Sequence, residues 1–170
     1  MTLPNIAWSK IWKDMTDQFS LGDFSIHGPN HWRNVELNGL QLCRLNGADE
    51  TVVRLFAVFH DVERENEGHD PEHGRRAADL LLQLHGELFE LDELRLELLV
   101  DAVSYHNDGL VSDSLTIGTC WDADRMDLPR VGITPRPERM STAHGKQFAT
   151  EGRLLTIPGE ENKGEDETET

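Results

Sequence analysis

The stretch that most limits how this chain can fold is VVRLFAVF, from Val52 to Phe59, in which Arg54 alone interrupts the apolar residues. A helix so apolar on nearly every face is buried by neighbours all round, and the rest of the chain must supply them. Asp49 can serve as its N-cap, and the helical pattern is read through ETVVRLFAVFHDVER as far as Arg64. His60 and Asp61 follow its most apolar part. Two ionisable groups are costly there unless something pairs them, and a metal ion would do so.

The neighbours are legible as further helices. Residues 5–19 place Ile6, Ile11, Trp12, Met15 and Phe19 at helical spacing, and Gly22, Gly28 and Pro29 then break the pattern. Asn30 is read as the cap of a second helix with Val35, Leu42 and Leu45 inward and Gly47 as its stop. Asp70-Pro71 predicts the next helix start, with His73 in the first turn and Ala77, Leu80, Leu81 and Leu84 inward. Asp92 caps ELRLELLVDAVSYH, where Leu94, Leu98, Leu99, Ala102 and Val103 form a buried stripe and His106 comes at the end.

Ser112 or Ser114 opens the last core helix, LTIGTCWDADRMDL, with strand a minority reading around Thr116, Ile117 and Thr119. Pro129, Pro135 and Pro137 mark a loop packed over the body, and a short helix is read from Ser141 to Leu155. The fold class expected is all-α, a compact bundle of about six helices with an irregular C-terminal segment. One domain is expected over residues 1–158, with its core motifs in 27–130, followed by an acidic, disordered tail over 159–170.

Composition narrows the function. A formal net charge of −16 repels polyanions, so duplex nucleic acid is not an expected partner, whereas a small anion can bind if bound cations reverse the local field. No apolar run could span a bilayer and the first residues lack a secretory pattern, so the expected location is the cytoplasm, away from membranes. Cys43 and Cys120 lie within apolar helical patterns and are read as reduced and structural. A homodimer is compatible with all of this.

The residues that carry chemistry are imidazoles and carboxylates near predicted helix ends: His31 in HGPNHWRNV, His60 and Asp61, His73, His106 in VSYHND, and Asp124 in WDADRMDL. These are ligand types for magnesium and transition metals. Helical phase separates the three aspartates, since residues three apart share a face and residues two apart do not. If Asp124 faces a metal, Asp127 lies near it and can orient a ligand histidine, while Asp122 caps or is solvated. Arg33, Arg64 and Arg125 are candidate phosphate contacts, Arg64 foremost because it follows Asp61 by almost one turn. Glu65 is a candidate base or outer group. His27 and His69 are read as surface or outer groups, and His85 and His144 as exposed.

In chain order this H…HD…D pattern resembles the HD superfamily of metal-dependent phosphohydrolases, over roughly residues 20–130. The resemblance implies that His31, His60, Asp61 and Asp124 hold one divalent metal, with Asp61 contacting both the metal and an activated water. His73 and His106 match two further histidines that hold a second metal in some subfamilies. Only twelve residues separate Asp61 from His73, fewer than in the phosphodiesterases with a GYP signature, and NDGLVSD stands where GYP would follow His106. The implied activity is hydrolysis of a small phosphate ester, plausibly a nucleotide, with Mn, Mg, Fe, Co, Ni or Zn as the cofactor. Asp61, Arg64, Glu65 and Asp127 are the candidate catalytic groups. Two alternatives stay open: a mixed-valence di-iron oxygenase using the same six ligands, and a non-catalytic nucleotide-binding module.

Overall fold

A computed structural model describes residues 5–154 of the chain. The apolar run forms α3 (Glu50–Phe59), started by Asp49, whose side chain accepts from the Val52 N–H. Around it stand α1 (Trp8–Gln18), α2 (Pro29–Asn46), α4 (His73–Leu84), α5 (Glu93–Tyr105) and α6 (Leu115–Arg125), and α7 (Ala143–Glu151) closes the described chain. The principal pairings are α3 with α2, α5 and α6, α2 with α6, and α4 with α5. Val52, Val53, Leu55, Phe56, Ala57, Val58 and Phe59 are all fully buried, as a helix apolar on nearly every face requires.

The helical class agrees with the sequence reading, and several boundaries move for local reasons. Helix α2 begins at Pro29 behind Gly28 rather than behind Asn30, because proline suits the first helical position, where its missing N–H has no partner to lose. Helix α3 stops at Phe59 instead of running to Arg64. The chain then tightens through Val62 N–H to Phe59 carbonyl and Arg64 N–H to Asp61 carbonyl bonds, so His60 caps the helix and Asp61 leads a turn. Helix α4 starts at His73 rather than Pro71.

Leu94, placed in the α5 stripe, is instead 65% exposed. The proline-rich stretch contains two 3₁₀ turns, Leu128–Val131 and Pro137–Arg139. The expected acidic tail lies outside the described residues. Among the described residues, no helix is long and apolar enough to cross a membrane.

Two glycines set how closely elements approach. A Cβ on Gly39 would meet Val53 Cγ1 at 2.3 Å, so α2 and α3 come together there only without a side chain. A Cβ on Gly74 would meet the Val103 and Ser104 carbonyl oxygens at 2.7 and 2.9 Å. That contact lays the start of α4 on the end of α5, which brings His73 and His106 together.

Asp122 is fully buried and joins α6 to α7. Its carboxylate accepts from the Ser141 N–H at 2.7 Å, the Thr142 N–H at 2.8 Å and the Thr142 hydroxyl at 2.7 Å. Thr142 in turn caps α7. Asp122→Ala is expected to lower stability by about 3 kcal/mol, seen as a fall in Tm of roughly 5–10 °C, because it strands three donors. Thermal unfolding followed by circular dichroism measures this.

Candidate metal centre

Four imidazoles converge where α2 begins, α3 ends, α4 begins and α5 ends. Each commits its Nδ1 to an acceptor on its outer side. His60 Nδ1 lies 3.0 Å from the Ala57 carbonyl oxygen, His106 Nδ1 lies 2.7 Å from that of Val103, and His73 Nδ1 contacts that of Asp70. In all three the acceptor is the carbonyl three residues earlier. His31 Nδ1 lies 2.7 Å from Asp127 Oδ2. Carbonyls and carboxylates only accept, so each Nδ1 carries the proton and donates it.

Every Nε2 is therefore turned inward. His31 and His60 Nε2 stand 3.1 Å apart, and His73 and His106 Nε2 stand 2.9 Å apart. Facing nitrogen lone pairs repel unless a proton or a metal ion sits between them. Metal–nitrogen bonds of about 2.1 Å put neighbouring ligand atoms roughly 3 Å apart, which is the spacing found here.

The carboxylates complete two sets, His31 with His60 and Asp124, and Asp61 with His73 and His106. Asp124 Oδ1 lies 3.1 Å from His31 Nε2 and 3.7 Å from His60 Nε2. Asp61 faces both sets. Its Oδ1 is 3.0 and 3.3 Å from the Nε2 atoms of His73 and His106, and its Oδ2 is 3.7 and 3.6 Å from those of His31 and His60. Imidazole and carboxylate donors, oriented by outer hydrogen bonds and facing one another, fit divalent cations.

Electrostatics follow from the geometry. Burial depresses His60 to about 4, keeping it neutral. Burial also opposes the charge on His31, yet its hydrogen bonds to Asp124 and Asp127 carry it up to about 9. Burial disfavours the ionised carboxylates, but the surrounding histidines hold Asp61 and Asp124 well below the usual carboxylate range. The proton on His31 stabilises the fold fully below its ordinary value of 6.5, and that contribution fades as pH rises through about 9. A metal takes the same nitrogen, so loading at pH 7 is expected to release about one proton from His31, and metal affinity should climb as pH rises towards 9. Calorimetric metal titrations in buffers of different ionisation heat count that proton.

The other candidates separate. Asp127, just past the end of α6, orients His31 and accepts from Asn34 Nδ2 at 3.1 Å. Arg64 reaches Asp61 Oδ1 at 3.4 Å while its Nη1 binds the Asn66 and Gly68 carbonyls, so it ties its own loop to the centre. Glu65 is corrected: its side chain is 72% exposed and lies 3.7 Å from Arg76 Nε, because the helix has already ended and the turn aims it outward. Arg33 lies over the Trp12 ring, and Arg125 donates to the Leu110 and Arg139 carbonyls.

His27, read as a surface or outer group, takes the outer place: its Nδ1 is 3.1 Å from Asp61 Oδ2 and its side chain is 13% exposed. The loop between α1 and α2 has no periodicity to show this. The Trp32 indole, which donates to the His27 carbonyl at 2.7 Å, pins that loop. His85, expected to be exposed, is half-buried against the Leu91 backbone.

A helical bundle with histidines at its helix ends around an aspartate that faces two donor sets has the HD-domain fold. The comparison that establishes this is with the crystal structure of a predicted HD superfamily hydrolase from an uncultured Thermotogales bacterium. It superposes with a TM-score of 0.67 at 23% identity, covering 86% of this chain and 84% of that one. No protein-family model matches the sequence. No curated protein matches it either.

Proposed function

We propose that this protein is a metal-dependent phosphohydrolase that acts on a small phosphate ester, plausibly a nucleotide, at a centre of two divalent ions. The observation that carries the reading is Asp61, with one carboxylate oxygen towards each donor set. The HD-domain fold, shared with a structure named as a predicted hydrolase, agrees with it. A bound divalent metal supplies Lewis acidity, which makes water nucleophilic near neutral pH and offsets phosphoryl charge.

The chain's own residues do the rest. His31, His60 and Asp124 form one donor set, His73 and His106 the other, and Asp61 joins them. Three backbone carbonyls and the Asp127 carboxylate fix the four ring planes before any ligand arrives. Asp61, held ionised by its histidine neighbours, is the group able to accept or steer a proton at the centre. His27 and Arg64 hold that carboxylate from the sides open to the loops.

Charge explains how so acidic a chain could take an anion. The two carboxylates among the donors contribute −2 and two dications +4, a surplus of +2 that a phosphate monoester dianion would balance. Elemental analysis beside a screen of phosphomonoesters and phosphodiesters tests the reading. Release of phosphate or of a nucleotide by fully loaded protein is expected. Failure across both ester classes at full loading would sink it. Iron with a mixed-valence paramagnetic resonance signal and oxygen uptake would instead favour an oxygenase using the same six donors.

Asp127 provides a finer check. Asp127→Ala removes the acceptor that orients His31, so metal affinity is expected to fall by roughly 10–100-fold with the helical fold retained. Competition with a fluorescent chelator reads the affinity, and circular dichroism reads the fold.

A further inference from the structure

Beside the 3₁₀ turns lies a cavity of about 280 Å³ that the metal centre does not use. Arg125, Arg136 and Arg139 line it together with Thr134, and Leu128 and Ile133 supply apolar wall. Among the described residues, no carboxylate lines it. That is unexpected in a chain with 32 acidic residues against 16 lysines and arginines. The arginines paired with carboxylates among the described residues are Arg54, Arg64, Arg75, Arg76, Arg95 and Arg130, so the three cavity arginines stand apart from them.

Two of the three are held in place by backbone. Arg125 donates to the carbonyls of Leu110 and Arg139, and Arg139 Nη1 donates to that of Gly109 at 3.2 Å. Neutral carbonyls orient a guanidinium without cancelling its charge. Arg125 is half-buried beside those two carbonyls. Holding like charges around one cavity costs free energy that a bound anion would offset. Planar guanidinium forks match tetrahedral oxyanions, and Thr134 adds a hydroxyl donor. The volume, close to the lower end for small-molecule sites, suits a phosphate with little attached.

We propose that the cavity formed by Arg125, Arg136 and Arg139 is a phosphate-binding site separate from the metal centre. It takes inorganic phosphate or the phosphate group of a small organic ester. The site uses none of the metal-centre donors, so it stands or falls apart from the hydrolase reading.

The test is a titration of the purified full-length protein with inorganic phosphate, followed by backbone amide shifts. Saturable shifts are expected at Gly109, Ile133, Thr134 and Arg139, and Asp61→Asn should leave them in place. The Arg136→Ala/Arg139→Ala double variant removes two exposed side chains and is expected to weaken binding roughly tenfold or more. Shifts confined to the surroundings of His31 and Asp61, or a double variant that binds as well as the parent, would overturn the proposal. So would equal saturable shifts with acetate at matched ionic strength, since a carboxylate would then serve as well as phosphate.

Discussion

Asp61→Asn is expected to cut phosphate ester hydrolysis by roughly 10²–10⁴-fold. The substitution keeps the shape of the side chain and removes what the centre needs. One carboxylate oxygen lies 3.0 and 3.3 Å from the histidines of one donor set, and the other lies 3.6 and 3.7 Å from those of the other. An amide has one oxygen to offer, and its NH₂ would point donors at whichever set it faced. Metal content should fall with activity, so steady-state kinetics is read beside elemental analysis of the same sample. Full turnover with metal content unchanged would refute the role proposed for Asp61. A variant that lost turnover yet still bound its ligand and served the cell would point to a non-catalytic module.

Gly74→Ala should separate the two donor sets. The added methyl would sit 2.7 Å from the Val103 carbonyl oxygen and 2.9 Å from that of Ser104, and backbone cannot rotate aside as a side chain can. Helix α4 must lift from the end of α5, at a cost of about 1–3 kcal/mol. His73 is the adjacent residue, so its Nε2 leaves His106. The expected result is folded protein whose metal stoichiometry falls to one from the two proposed for the parent. Metal stoichiometry by elemental analysis decides it, and unchanged stoichiometry would mean that His73 tolerates the shift.

The sequence carried the helical class because α3 is apolar on nearly every face and Asp49, Asp92 and Ser114 are capping residues, each of which accepts an N–H of its helix's first turn. It also drew a division among the three aspartates. Asp124 faces the imidazoles, Asp127, two residues past the end of α6, orients His31, and Asp122 is buried against Ser141 and Thr142. Loops defeated it. Running α3 on to Arg64 placed Glu65 on the wrong side, since a helix and a turn send the same residue in different directions. His27 was left between a surface and an outer role, because it meets Asp61 across 34 residues, through a loop that Trp32 pins. The cavity arginines gather from α6, a 3₁₀ turn and the residue before that turn, and no spacing rule links those segments.

The three histidines bound to the carbonyl three residues before them make each ligand a property of its own turn. Lengthening or shortening the connections between those turns leaves every ring where it is, provided the helices still dock. The short link from Asp61 to His73 thus says little about how many ions the centre accommodates. Relatives whose connecting loops differ widely in length could share one centre, and a search for them would do better to match His-bearing turns than distances along the chain.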